Sequence, residues 1–226
     1  MTTCNEFTKA KLVAYSQPAE EFKDQFKSIK DLVSYCARVS NPSNQFNTET
    51  SDKLINYLLK HKHFSPFEMA SITLEVETTR DIARQLLRHR SFTFQEFSQR
   101  YADPTKDLNF VTREARLQDP KNRQNSVQTD DKELIEIWDE MQISLLSQVK
   151  KAYTWAVTNG IAKEQARAVL PEGLTMSRLY VQGTVRSFIH YLDVRCEEGT
   201  QLEHRVLAQK TAQAISKIFD VNIAKG

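Results

Sequence analysis

Glycine is scarce in this sequence, with five in 226 residues. No GxGxxG or GxxxxGK run occurs, which argues against a Rossmann or P-loop nucleotide site. Cysteine is rarer still: Cys4, Cys36 and Cys196 are the three present. They form no CxxC and are odd in number, a pattern that suits free thiols in a reducing compartment. No apolar run approaches the roughly 18 residues of a membrane span. The N-terminus lacks a basic region followed by an apolar one, so no signal peptide is expected. Charge of one sign is not in excess either. The net charge is only +2, so basic residues act locally rather than as a general polyanion-binding face. The expectation is a cytoplasmic protein with neither a membrane nor a nucleic acid as partner. No Pro/Gly/Ser-rich linker divides the chain, and its 40% hydrophobic content can bury a sizeable core. One compact domain over residues 1–226 is expected.

Periodicity then places the elements. Lys11 to Ser16 reads as a short strand. Ser28 caps a helix to about Val39, with Ile29, Leu32, Val33 and Cys36 on one face, stopped by Ser40-Asn41-Pro42. Ser51 starts a second helix that buries Leu54, Ile55, Leu58 and Leu59 and ends near His61. Ile72, Leu74 and Val76 alternate with Thr73, Glu75 and Glu77 in the cleanest strand of the chain. A helix from about Thr79 to Arg90 follows, with Ile82, Leu86, Ala83 and Leu87 as its buried stripe. Residues 103–130 are polar and aperiodic, with Asn109-Phe110-Val111 as a candidate small strand; a long surface excursion is expected there. The longest helix begins at Asp130, its apolar spacing carried by Leu134, Ile137, Trp138, Met141, Leu145, Val149, Ala152 and Ala156. Asn159-Gly160 ends it. A shorter helix, Ala162 to Leu170, stops at Pro171. Thr175 to Gln182 is a candidate strand, Val185 to Val194 a helix, and Thr200 to Phe219 a final amphipathic helix. Several helices with three or four strands, without regular βα alternation, define an α+β class: a small, mostly antiparallel sheet packed with helices.

Residues 88–100, RHRSFTFQEFSQR, concentrate the chemistry. Arg88, His89 and Arg90 come first, then Glu96, Ser98 and Arg100, with Phe92, Phe94 and Phe97 between. The aromatic rings favour burial. The arginines favour a planar anion such as phosphate or carboxylate. Both demands are met if the segment lines a site for a phosphorylated ligand with an apolar body. The plainer alternative is a solvated helix end whose cations suit the helix dipole.

RHR followed seven residues later by Ser98 resembles the signature of the flavin-dependent (alternative) thymidylate synthases. Further stretches agree in order: ARVS (37–40), HKHFSPFE (61–68), ARQLLRHR (83–90), EFSQRY (96–101), ARAVLP (166–171) and VRSFIHYLDVR (185–195). The resemblance spans most of the chain, apart from about 103–130. It implies reductive methylation of dUMP to dTMP. The carbon donor is 5,10-methylenetetrahydrofolate, reduction comes from NADPH through FAD, and tetrahydrofolate is released. It also implies a homotetramer whose sites are shared between subunits.

Carried over position by position, the resemblance gives Ser65, Arg88, His89, Arg90, Glu96, Thr184, Arg186 and His190 to the flavin. Some members carry Asn where His190 stands, and both side chains donate hydrogen bonds. Thr184 departs from a common Asn, which puts its flavin contact in question. Ser65 is implied to reach the flavin across a subunit boundary. His63 and Ser40 are implied in the same region. Gln85, Leu86, Leu87, Arg88, Glu96, Phe97, Ser98, Gln99, Arg100, Arg167 and Arg195 fall to dUMP, and Arg195 also to catalysis.

The residues themselves allow competing sites. His61-x-His63 suggests a metal, but no Cys or carboxylate set completes a familiar spacing. Ser98 with His89 suggests a hydrolase dyad, but no GxSxG elbow is present. Cys196 beside Arg195 invites a thiolate reading, although in the resembled family the flavin replaces a cysteine nucleophile. Two other function classes stay open: a single-stranded nucleic-acid module using the Arg/Phe segment, and a nucleotide phosphohydrolase. The second class needs a metal held by carboxylates, and no such cluster is visible.

Overall fold

The computed structural model describes residues 3–220. Its centre is the strand that alternation marked out. β2 (Ser71–Thr79) buries Ile72, Leu74 and Val76, while Thr73, Glu75 and Glu77 stand on the wetter face. β1 (Lys9–Tyr15) and β6 (Met176–Thr184) flank it, and β3 (Thr93–Glu96) closes the order β1-β2-β6-β3, antiparallel throughout. The β2–β6 register runs unbroken from Ser71 opposite Thr184 to Thr79 opposite Met176. On the outer face, cross-strand pairs hold the register. Arg178 donates to Glu77 Oε1 at 2.6 Å, and the Tyr180 hydroxyl donates to Glu75 at 2.9 Å.

Helices cover the inner face. α2 (Ile29–Ala37), α8 (Val185–Arg195) and α9 (Leu202–Ser216) bring Val33, Phe188, Leu192, Leu207 and Ile215 onto Ile72, Leu74 and Val181. Ser28 caps α2 as its position suggests, its hydroxyl accepting from the Asp31 N–H at 3.2 Å. α3 spans Ser51–Lys60. The expected α+β class stands.

The helix expected over 79–90 is shorter. α4 is Arg80–Leu86, and the chain leaves it through tight turns. Phe92 is the cause: it is buried, and its ring lies 4.6 Å from that of Phe188 and 5.7 Å from that of Tyr191. Reaching that place carries Thr93–Glu96 into register with Leu179–Gln182, so this part of the Arg/Phe segment is an edge strand. Gly183 makes room for the ring. A Cβ there would stand 2.4 Å from Phe92 Cδ1. Gly183→Ala is therefore expected to destabilise by about 1–3 kcal/mol, each kcal/mol lowering the melting midpoint by about 2–4 °C. A thermal melt unchanged from the parent protein would contradict this packing.

Residues 103–130 are not a bare excursion. They hold a short helix, α5 (Pro104–Asp107), and a hairpin of β4 (Arg116–Gln118) and β5 (Ser126–Gln128). Of 109–111 only Phe110 bridges, to Thr175. α6 (Lys132–Thr158) is the long helix, capped by Asp131 rather than Asp130 and ended at Gly160 with φ 82°. Its apolar residues divide unexpectedly. Val149 and Ala156 are buried, but Leu134, Ile137, Trp138, Met141 and Leu145 are exposed. Beyond α6, α7 (Lys163–Ala166) continues into a 3-10 turn over Arg167–Val169.

Candidate active site

α4 starts where β2 ends and α8 where β6 ends, at opposite ends of this antiparallel pair, and the far ends of the two helices come together. The start of α4 is held by a residue from the aperiodic stretch. Arg113 Nη2 donates to Asp81 at 2.7 and 2.9 Å and to Thr79 Oγ1 at 2.7 Å. Buried Gln142 of α6 fixes Arg113 in turn, accepting from its N–H at 2.7 Å and donating to its carbonyl at 3.0 Å.

The turn that follows α4 meets the last turn of α8 at His89. Arg195 Nε donates to His89 Nε2 at 2.9 Å. This bond requires a neutral imidazole with its proton on Nδ1. Tyr191 braces the ring edge-on at 5.0 Å and 84°. Burial, then the charge of Arg195 and then His190, pull the His89 pKa down to about 4. Neither Nη of Arg195 has a protein partner among the described residues, so the outer fork of the guanidinium is free. Among the described residues Arg195 forms no ion pair with its neighbours Asp193, Glu197 or Glu198.

His204 of α9 is the second histidine of this core. It is fully buried, and its ring lies 6.3 Å from His89 at 88°. Burial, then Arg195 and His89, lower its pKa to about 3. Both histidines are thus held neutral, and stability tied to them is complete above the ordinary value near 6.5. It is lost as pH falls toward the folded values. Buried His204 alone costs up to about 1.4 kcal/mol for each pH unit below 6.5. Between pH 6.5 and 5 its share of the drop in melting midpoint is about 4–8 °C. His204→Leu should flatten the curve by that share. An identical pH dependence in both proteins would contradict the neutral buried state.

Arg88 and Arg90 are exposed, and neither side chain has an ion-pair or hydrogen-bond partner among the described residues. The same holds for half-buried Arg167. Arg100 reaches Glu164 at 3.3 Å, and Lys163 donates to the Tyr101 carbonyl at 2.8 Å. The loop carrying exposed Ser98 is therefore docked on α7, beside Arg167. Glu96 is pinned: its Oε1 accepts from Arg80 at 3.1 Å and from Ser177 at 2.8 Å. Leu86 and Gln99 are buried, and Phe97 packs with Phe7 and Met176, so these three side chains face inward. Leu87 is half-buried against the main core.

A cleft of about 790 Å³ lies along α8. Thr184, Arg186 and His190 line it with Ser91 and Asp193; Leu59, Phe64 and Ile189 supply its apolar wall. Thr184 is committed to capping α8, accepting from the Ser187 N–H at 3.3 Å. Arg186 pairs with Glu68 across the mouth. Ser187 Oγ donates to the Ser91 carbonyl at 3.2 Å and ties the arginine segment to the cleft. Ser40, His63 and Ser65 are exposed and do not line it. Lys62, at φ 56°, turns the chain out of α3, and the His63 ring stands 6.2 Å from that of Tyr57. Among the described residues no group of three or more His, Cys, Asp or Glu is placed to hold a metal ion. No helix there is long and apolar enough to cross a membrane.

Sequence reasoning missed Arg113, Gln201, Glu203 and His204. Glu203 and His204 lie on the buried side of α9, where a charged or titratable residue breaks the apolar pattern. That break was the available signal. Arg113 sits in a stretch without periodicity and offered none.

The fold and site define a protein that sets arginine-rich helix ends beside an apolar-walled cleft. The chain belongs to the family described as thymidylate synthase complementing protein, whose model matches residues 22–220. It is 44% identical over 216 residues to a probable flavin-dependent thymidylate synthase of Paramecium bursaria Chlorella virus 1, covering 96% of this chain and 97% of that one. It is 43% identical over 209 residues to the flavin-dependent thymidylate synthase of Synechocystis sp., covering 92% and 94%. Among solved structures, a UMP/dUMP methylase from Streptomyces cacaoi bound with 5-Br dUMP superposes with a TM-score of 0.78. That match has 26% identity and covers 96% of this chain and 93% of that one.

Proposed function

We propose that this protein is a flavin-dependent thymidylate synthase. It converts dUMP to dTMP, takes the carbon from 5,10-methylenetetrahydrofolate and releases tetrahydrofolate. The observation that carries the reading is the Arg195–His89 pair. It presents a permanently charged guanidinium, aimed by a neutral histidine and with its outer fork free, at the junction of two cationic helix ends. Such a fork matches a ring edge bearing a carbonyl oxygen and a ring nitrogen, as uracil has. Charge gathered there raises electron density at C5, the carbon that must accept the one-carbon unit.

The α8 cleft suits FAD. Its apolar wall takes a flat ring system, and Arg186, His190 and Lys62 offer donors or positive charge to carbonyl and phosphate oxygens. When bound, FAD supplies reducing equivalents taken from NADPH. Arg88 and Arg90, free of partners among the described residues, serve phosphate and carbonyl oxygens. Ser98, Arg100 and Arg167, on one docked loop and the adjoining turn, hold the nucleotide phosphate. Leu86, Phe97 and Gln99 line the site through backbone alone.

Residues 1–226 act as one unit, and the unit works as a homotetramer. Two features support this. Ser40, His63 and Ser65 project from the subunit rather than into its own cleft, and α6 exposes Leu134, Ile137, Trp138, Met141 and Leu145 in water. The absorption spectrum of the purified protein tests the reading. A flavin band that shifts on adding dUMP, and not on adding an oligonucleotide, is expected. A colourless protein that hydrolyses or binds nucleotide without flavin would overturn it.

A further inference from the structure

A chain of side-chain hydrogen bonds runs through the last turn of α4, and its direction is fixed from one end. Glu203 is buried and ion-paired with Arg113 at 3.2 Å and with Arg116. Burial alone would raise its pKa, but Arg113 and Arg116 hold it below the usual carboxylate range. An ionised carboxylate only accepts. Gln201 must therefore turn its amide nitrogen to Glu203, donating at 2.9 Å. Its Oε1 then faces Gln85 and accepts from Gln85 Nε2 at 2.7 Å. Gln85 Oε1 is left facing His204 Nδ1 at 3.1 Å, and two acceptors cannot bond there. His204 must carry its proton on Nδ1. The fully buried Nε2, which has no partner among the described residues, is then a bare lone pair rather than an orphaned N–H.

We propose that His204 is a positioning residue: through this relay it locks the Gln85 amide so that its second N–H is offered to an acceptor atom of the bound nucleotide. The inference rests on the functional reading above and on the family resemblance, which implies Gln85 at dUMP. One hydrogen of Gln85 Nε2 goes to Gln201; the other has no protein partner among the described residues. Gln85 stands one helical turn before Arg88 and His89, and its partner His204 lies 6.3 Å ring to ring from His89, the residue that holds Arg195. Without His204 the amide keeps the polarity that Gln201 sets but loses its second anchor, so its plane can swing and carry the second N–H off line from the nucleotide's acceptor.

The test is dUMP titration of the FAD-loaded protein, followed by flavin absorbance. His204→Leu fills the same apolar space and removes the orphaned nitrogen, so its melting midpoint at pH 7 should not fall. Its dUMP affinity should fall roughly 3- to 10-fold, the worth of one neutral hydrogen bond, with KM rising and kcat nearly constant. His204→Asn keeps a donor at the Nδ1 position and should restore binding to within about twofold. In a Gln85→Leu background, itself weakened, His204→Leu should add nothing. Wild-type affinity in His204→Leu or Gln85→Leu, additive losses, or no recovery in His204→Asn would overturn the proposal. A wild-type protein that binds no flavin or ignores dUMP overturns the functional reading instead. The lock itself is read without ligand by nitrogen NMR of labelled histidine: the Nδ1–H tautomer of His204 is expected, and the Nε2–H tautomer contradicts it.

Discussion

Arg195→Ala is expected to fold, to hold FAD and to lose dTMP formation by about 100- to 1,000-fold, the usual cost of removing one preorganised transition-state donor. The expectation comes from what holds the guanidinium. A surface arginine is free to swing, and losing it costs little. Arg195 is tethered through Nε to a histidine that is itself wedged against Tyr191. The tether consumes one donor and leaves the fork aimed. Alanine removes charge and aim together, whereas the proposed FAD contacts along α8, His190 and Arg186, lie about one and a half and two and a half turns away. Ser98→Ala, which removes one exposed hydroxyl at the nucleotide, should cost far less. Turnover of Arg195→Ala within about threefold of wild type at saturating dUMP would sink the catalytic assignment.

Glu203→Ala is expected to be the most destabilising single change of this region. The carboxylate is 1% exposed and lies between Arg113 and Arg116. Removing one partner from a buried ion pair costs about 3–5 kcal/mol, because the remaining charge is stranded. Arg113 keeps Asp81 at 2.7 Å, but Arg116 keeps only Glu114 at 3.8 Å, and its Nη1 already lacks a hydrogen-bond partner. The low end, about 3 kcal/mol, is therefore expected, which lowers the melting midpoint by about 6–12 °C. Nucleotide affinity should fall as well, since Gln201 loses the acceptor that sets its direction. A thermal melt within 2 °C of wild type would show that the cluster is not the anchor of α9 and the relay.

Residues whose role is to alternate or to cap were legible in the sequence. β2 follows from Ile72, Leu74 and Val76, and α2 from Ser28, because burial on a regular element leaves a period. β3 was not legible: Thr93–Glu96 is an edge strand of four residues, and its pairing is imposed by Phe92 entering the core at Gly183. The outer half of α6 kept helical spacing but not burial, and spacing alone does not say what covers an apolar stripe. At the site, the arginines and Ser98 stood out by type and order. Their partners did not. That His89 faces Arg195, that Glu203 sets the polarity of Gln85, and that the aperiodic stretch returns Arg113 to Asp81 are matters of long-range packing. These contacts join residues 32 to 119 positions apart, and no local pattern encodes them.

The central claim is a reductive methylation in which the folate is only a carbon donor. Its most direct test is a product assay with purified protein, dUMP, 5,10-methylenetetrahydrofolate and NADPH, following both the nucleotide and the folate. The account predicts dTMP and tetrahydrofolate in equal amounts, with dTMP formation ceasing when NADPH is withheld or FAD is stripped. Dihydrofolate as the folate product, or dTMP formed without flavin, would contradict it.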